Sequence, residues 1–146
     1  MTAPANRDAF IAMLRALGEK DYDSFERYLD PDLVCEWPYV VMEGFPTRMT
    51  GARRLRDALE VSWVKFTPYR YQIQHLHDLA DPDGLVAEYS SRSTYLPRNV
   101  PYENQYIAVL RFAHGRITHW REYVNPLVTL QALGPDARWE ESRGAV

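Results

Sequence analysis

Apolar residues recur at helical spacing in the first half of the chain and at alternate positions through most of the second. Phe10, Met13, Leu14 and Leu17 follow Asn6, a good N-cap residue, so the spacing predicts an amphipathic helix over residues 7–19 that closes near Gly18. Asp21 is placed to cap a second, shorter helix with Phe25, Tyr28 and Leu29 on its buried side, ended by "DPDL". The run "LVCEWPYV" is β-type, but Pro38 interrupts it, which predicts a short or edge strand. After the loop-like "EGFPTRMTG", helical spacing returns in "GARRLRDALEVSWVKF" through Leu55, Ala58, Leu59, Ser62 and Phe66.

The second half changes period. "YRYQIQHLHDL", "LVAEYSSRSTYL", "YENQYIAVLRF" and "RITHWREYV" are β-rich and are separated by the turn-forming stretches "ADPDG", "PRNVP" and "AHG". Asn125 as N-cap and Pro126 at the first helical position open a closing helix, and a polar, loosely held tail is expected beyond Gly134. Helices first and then a long meander, without βαβ alternation, predict an α+β fold. In it the N-terminal helices pack on a curved, mostly antiparallel sheet and leave an open-mouthed cone, as a single domain over residues 1–146.

The last hairpin sets which side chains enter that cone. A two-residue turn at His114-Gly115 would force a histidine to positive φ, so a three-residue loop, Ala113-His114-Gly115, is expected. Phe112 then pairs with Arg116, and Tyr106 lies opposite Glu122. Tyr102, Asn104, Tyr106, Ala108, Leu110 and Phe112 share the inner face with Thr118, Trp120, Glu122 and Val124. Ile107, Val109, Ile117, His119, Arg121 and Tyr123 face out, and this half-apolar surface predicts a homodimer.

Composition narrows the function classes. A chain of 146 residues with 46% hydrophobic content can bury a substantial core. The net charge of −3, with no basic run, argues against nucleic acid as a partner. Cys35 stands alone, which excludes an internal disulfide and a thiolate-built metal site and fits a reducing, cytoplasmic setting. No signal-type segment and no apolar run long enough to span a membrane is present.

Glu122 is the residue these constraints single out. A carboxylate on an apolar inner face loses hydration, which raises its pKa towards neutrality and suits it to general acid–base work. The alternative is that it caps a helix end or neutralises Arg54 or Arg92. Tyr102 and Tyr106 are placed to donate to it or to a substrate oxygen, and Asn104 shares their face. Glu88 is a second mid-strand carboxylate that either divides acid and base roles with Glu122 or forms a salt bridge. Trp37, Trp63 and Trp120 suit either a pocket for a planar ligand or core packing, and Glu36 beside them is equally open. His75 and His77 form an H-x-H pair without a third ligand, so no metal is assigned. No nucleotide-binding, nucleophilic-serine or C-x-x-C motif occurs.

The stretch "DLVCEWPYVVMEGFPTRMTGARRLRDAL", followed by "YENQYIAVLRFAHGRITHWREYVNPLVTLQALG", resembles the SnoaL-like branch of the NTF2-like superfamily, and within it the phenazine-biosynthesis A/B proteins. The resemblance implies a cone-shaped α+β barrel, usually dimeric, with a pocket between helices and sheet. It places the acid–base glutamate at Glu122, a pocket tyrosine at Tyr102 and a pocket serine at Ser62. The histidine those proteins carry one helical turn before the serine is Ala58 here. The ketosteroid isomerase base falls at Trp37 and its acidic oxyanion donor near Ala108, so that mechanism is not implied.

The expectation is a cofactor-independent enzyme acting on a small apolar or aromatic substrate by cyclisation, isomerisation, dehydration or condensation. Glu122 and Tyr102 would be catalytic, and Tyr106, Trp120, Ser62, Trp37, Asn104 and Glu88 would bind substrate. The alternative is a non-catalytic binding or assembly module of the same fold.

Overall fold

A computed structural model describes residues 3–139, without the side chain of residue 3. Helix α1 (Ala3–Gly18) lays Phe10, Met13, Leu14 and Leu17 on the sheet, each at most 2% exposed. It starts before the expected residue 7 because the alanine-rich "APAN" is itself a good helix start, with Pro4 tolerated in the first turn. Asn6 is therefore not a cap: it is buried within the helix, and its Nδ2 donates to the Pro82 carbonyl at 3.1 Å.

Gly18 closes α1 against the segment leading into the sheet. The Tyr69 amide donates to the Gly18 carbonyl at 2.9 Å, and a Cβ at residue 18 would stand 2.5 Å from the Tyr69 carbonyl oxygen. Backbone cannot step aside as a side chain tip can, so Gly18→Ala is expected to destabilise the fold by about 1–3 kcal/mol. That is roughly 2–12 °C in melting temperature for a chain of this size, readable in a thermal melt followed by circular dichroism.

Helix α2 (Tyr22–Arg27) is capped as expected, with the Asp21 carboxylate accepting from the Ser24 amide at 3.1 Å. Strand β1 (Leu29–Glu36) begins just before the "DPDL" expected to be only a breaker and runs through it. Its pairing with the last strand is interrupted between Leu29 and Val34, so Pro31 lies in an unpaired stretch where its missing N–H breaks no ladder bond. Nor is β1 an edge strand. It is flanked by the last strand and by β2 (Arg48–Thr50), a three-residue edge strand within the segment read as loop and too short to show alternation.

Helix α3 (Ala52–Ser62) buries Ala52, Leu55 and Ala58 and passes into a 3₁₀ turn, Trp63–Lys65. Phe66 leaves the helix and bridges Tyr95. The turn is closed by Lys20, whose Nζ donates to the carbonyls of Trp63 at 2.8 Å and Phe66 at 2.5 Å.

Strands β3 (Arg70–Asp78), β4 (Gly84–Tyr95), β5 (Val100–Ala113) and β6 (Arg116–Val124) form the meander. Helix α4 (Pro126–Leu133) follows, with the Asn125 side chain accepting from the Leu127 amide. The six-stranded sheet has the order β2-β1-β6-β5-β4-β3; only the β1–β6 pair is parallel. It is an open α+β sheet with helices packed on its concave face.

The β5–β6 hairpin departs from its expected form. Ala113 pairs with Arg116, so the turn is two residues, His114 at φ 52° and Gly115 at φ 76°, as in a type I′ turn. Histidine is among the non-glycine residues that do adopt this region, although glycine pays less for it. One register slip follows: Phe112 pairs with Ile117 but Arg111 pairs with His119, leaving Thr118 as the extra residue of a bulge. The shorter turn reverses the face of every β6 residue, and the bulge reverses those beyond it back again. Glu122 faces inward as expected, but opposite Ala108 instead of Tyr106. On the turn side of the bulge Ile117 points inward and is fully buried, a correction to its outward assignment. Thr118 donates from Oγ1 to the Arg111 carbonyl at 3.3 Å.

Candidate functional site

Between the concave sheet and the helices lies a cavity of about 170 Å³. Its walls come from β1 and the loop after it, α3 with its 3₁₀ turn, the sheet strands β3 to β6, and α4 with the segment that follows. The lining is rich in aromatic residues, and among the described residues Glu122 is its only carboxylate. Trp63 stacks on Tyr69 at 4.0 Å, and Phe66 packs against Tyr95 and Tyr102, so one wall is a continuous ring cluster. Such rings bury much area and keep a rigid shape.

The C-terminal segment completes the wall. The Trp139 amide donates to the Glu43 carbonyl at 2.9 Å, the Arg138 guanidinium pairs with the Glu43 carboxylate, and Phe45 packs between Trp37 at 4.8 Å and Trp139 at 4.6 Å. Residues 135–139 are thus held, where a loose tail was expected; the rest of that tail lies outside the described residues. Nothing in the local sequence announces this contact, because its partner lies far back in the chain.

Glu122 retains some accessible surface, and that surface belongs to the cavity, while protein surrounds the carboxyl group. Burial pushes its pKa up to about 7, and hydrogen bonds from Tyr89 and Trp37 hold it from rising further. Among the described residues no cation contributes to that balance, so the reading of Glu122 as the partner of a buried arginine finds no support; Arg92 instead approaches Glu103 at 4.0 Å.

The tyrosine that donates to Glu122 is neither Tyr102 nor Tyr106 but Tyr89, whose hydroxyl donates to Oε2. Tyr89 is 1% exposed, and burial, reinforced by the neighbouring carboxylate, raises its pKa well above the usual tyrosine value. The Trp120 indole N–H lies near enough to that hydroxyl to favour its ionised form slightly, yet it misses hydrogen-bond geometry, and its Nε1 is buried without a partner.

The other expected residues divide between the cavity and elsewhere. Tyr102 lines the cavity, but its hydroxyl is engaged by Asn104 Nδ2 at 3.0 Å and by Thr129 Oγ1 at 3.2 Å. Tyr106 lines it too, with its hydroxyl 2.7 Å from Ser91 Oγ and its ring stacked on Tyr89 at 5.0 Å. Trp37, Trp120 and Ser62 are lining residues, and Ser62 Oγ donates to the Leu59 carbonyl at 3.3 Å.

Two expected binding residues are corrected. Asn104 is 2% exposed and does not line the cavity; its Nδ2 also donates to the Asn125 carbonyl and its Oδ1 accepts from the Gln105 and Asn125 amides, tying β5 to the start of α4. Glu88 projects from the opposite sheet face, because even-numbered β4 residues point outward, and it accepts from His77 Nε2 at 2.7 Å. His75 and His77 lie on that outer side with rings 6.0 Å apart, and Glu36 pairs there with His119. Among the described residues no group of three or more His, Cys, Asp or Glu side chains is placed to hold a metal.

Tyr89 was legible only in part. Alternation in β4 puts Leu85, Ala87, Tyr89 and Ser91 on the inner face, and Tyr89 is the one of these with a long polar tip. Its reach to Glu122 depends on the β5–β6 register, in which Glu122 lies opposite Ala108 and not opposite Tyr106.

Residues 10–120 match the SnoaL-like domain, a span that ends two residues before Glu122. A PhzA/B-like protein of Pseudomonas aeruginosa is 29% identical over 132 residues, covering 88% of this chain and 89% of its own. A solved structure of a candidate isomerase from Bacillus subtilis superposes with a TM-score of 0.86 at 25% identity, covering 96% of this chain and all of the other. A limonene-epoxide-hydrolase-like epoxide hydrolase of M. tuberculosis superposes with a TM-score of 0.68 at 27% identity, covering 90% and 93%. With the family match spanning most of the chain and the helix-on-sheet cone in place, this protein belongs to the SnoaL-like domain family, within the NTF2-like fold.

Proposed function

We propose that this protein is a cofactor-independent enzyme in which Glu122 transfers a proton to or from a small, uncharged, largely apolar ring compound. The observation that carries the reading is a buried carboxyl group, its pKa raised to about 7 by loss of hydration, on the wall of an aromatic-rich cavity where no cation among the described residues lowers that pKa. At neutral pH such a group is present in both forms, so it abstracts a proton and returns it without a large driving-force penalty in either direction. Isomerisation, cyclisation and dehydration all require that step, and the similar proteins described as an isomerase and an epoxide hydrolase belong to the same broad chemistry.

The volume of about 170 Å³ suits a molecule of one or two small rings, since an apolar protein cavity of about 150 Å³ takes up benzene. Burial also favours a neutral ligand, because an anion beside Glu122 would meet a developing like charge in low dielectric. Tyr102 and Tyr106 orient the ligand through their rings, and their hydroxyls serve a substrate oxygen only by exchanging partners they already have.

The test is deuterium incorporation from heavy water into a panel of small cyclic ketones with acidic C–H groups, followed by proton NMR. Exchange faster than buffer with the wild type, lost in Glu122→Gln, supports the reading. Saturable binding without exchange or turnover, on this panel and on small ring epoxides, would make the protein a binding module.

The same reading places the protein in the cytoplasm as a homodimer joined through the outer sheet face, where Ile107 is 40% exposed among Val109, Tyr123 and Tyr39. Sedimentation at micromolar concentration is expected to give twice the 17.0 kDa chain mass, and Ile107→Lys to shift it to the monomer.

A further inference from the structure

Strands β4 and β6 are not neighbours; β5 runs between them. Two strand spacings, close to 10 Å, therefore separate the backbones that carry Tyr89 and Glu122. The two side chains meet because the residue between them on the inner face of β5 is small. Ala108 pairs with Ala87 on one side and with Glu122 on the other, and it is fully buried. The Tyr89 ring lies diagonally beside it, stacked on Tyr106 at 5.0 Å and held edge-on by Phe10 at 5.5 Å and Tyr71 at 6.0 Å. A ring fixed on three sides aims its hydroxyl with little rotational freedom, and that hydroxyl donates to Oε2 of Glu122.

We infer that Tyr89 is a positioning residue for Glu122: reaching over the gap left by Ala108, it holds Oε2 and fixes the carboxyl plane, so that protons pass to and from a cavity ligand through the other oxygen. Tyr89 itself does not line the cavity, so it acts through Glu122 and not on the ligand. The inference deepens the catalytic reading and rests on it for its functional meaning, but the tyrosine–glutamate coupling is measurable without any substrate.

The surroundings make the measurement clean. Lys65 and Arg138 are the cations that line the same cavity. The ionisable groups whose own titration feels the charge of Glu122 are Cys35 from β1, Tyr69 from the segment before β3, Tyr71 from β3, Tyr89 from β4, and Tyr102 and Tyr106 from β5. Every one is an acid whose pKa is raised by burial first of all, so all are neutral around pH 7 and none titrates together with the glutamate.

The experiment is a carbon-detected NMR titration of protein labelled at the glutamate side-chain carboxyl carbons, with the Glu122 resonance assigned by its absence in Glu122→Gln. Tyr89→Phe removes one hydroxyl and keeps the ring. Because that hydroxyl stabilises the charged carboxylate, its loss is expected to move the midpoint upward from about 7, by about one to two pH units, with the circular dichroism spectrum unchanged. Ala108→Val, which narrows the gap while retaining the tyrosine, is expected to shift the midpoint in the same direction.

A merely structural tyrosine would lower the melting temperature without moving the midpoint. An unmoved Glu122 midpoint in folded Tyr89→Phe overturns the inference, whatever Ala108→Val does. If the midpoint rises but the wild type neither exchanges nor turns over any substrate, the positioning stands and the catalytic reading falls. If exchange occurs and the midpoint is unmoved, the reverse holds.

Discussion

Glu122→Gln is expected to lose roughly 10²–10⁴-fold in the rate of proton transfer while the protein becomes more stable at alkaline pH. The two effects share one origin. Glutamine keeps the size and most of the polar contacts of glutamate but carries no proton to exchange and no charge to bury. The pKa of Glu122 is about 7 in the folded protein against an ordinary 4.5, so the folded carboxyl group binds its proton more tightly than the unfolded one. Its effect on stability is therefore most favourable below pH 4.5, weakens as pH rises from 4.5 to 7, and levels off above. By that linkage the charged glutamate costs the fold at most about 3 kcal/mol at pH 8, and glutamine removes the cost. Wild type and variant should melt together near pH 4.5, and the variant should melt several degrees higher at pH 8. A buried group that weakens the fold in order to work is a familiar source of trade-off between stability and activity. Equal melting temperatures at both pH values would mean that the carboxyl group is not buried in a way that matters.

Phe10→Ala is expected to produce the larger loss of stability. Phe10 is fully buried on α1, and its ring meets the edge of Tyr89 at 5.5 Å. Truncation of a phenylalanine at such a position costs about 3–5 kcal/mol, combining lost burial with the cavity left behind. In a chain of this size the melting temperature should fall by roughly 6–20 °C. The same substitution frees one side of the ring that aims at Glu122, so the carboxyl titration should broaden or shift even below the melting range. Phe10→Leu, which refills most of the space, should recover most of the stability. A drop of less than 3 °C for Phe10→Ala would show that α1 is not docked on the sheet as described.

The hairpin at residues 113–116 shows how far local reasoning reaches. The inward face of Glu122 followed correctly from a three-residue loop that does not exist. The real turn is shorter by one residue and β6 is longer by one bulged residue, Thr118, so the two changes of parity cancel beyond the bulge and not before it. Glu122 and Trp120 therefore lie where they were expected, and Ile117 does not. Turn preference is a local property of His114 and Gly115. A bulge is chosen by the packing of the whole sheet, here by the burial of Ile117 and Trp120 on the same face.

By itself the sequence determined the order and type of nearly every element, because helical and alternating periods are local and the N-caps at Asp21 and Asn125 use neighbouring atoms. It singled out Glu122 as a carboxylate among apolar and aromatic neighbours, with Glu88 and Glu36 left open beside it, and it carried enough of the family pattern to identify the SnoaL-like fold. Only the tertiary structure decided what that carboxylate meets. Tyr89 reaches it across an intervening strand, Trp37 arrives from the loop after β1, and residues 138 and 139 complete the cavity wall from far along the chain. Each of these contacts joins residues far apart in sequence, so register and strand order, not spacing along the chain, bring them together.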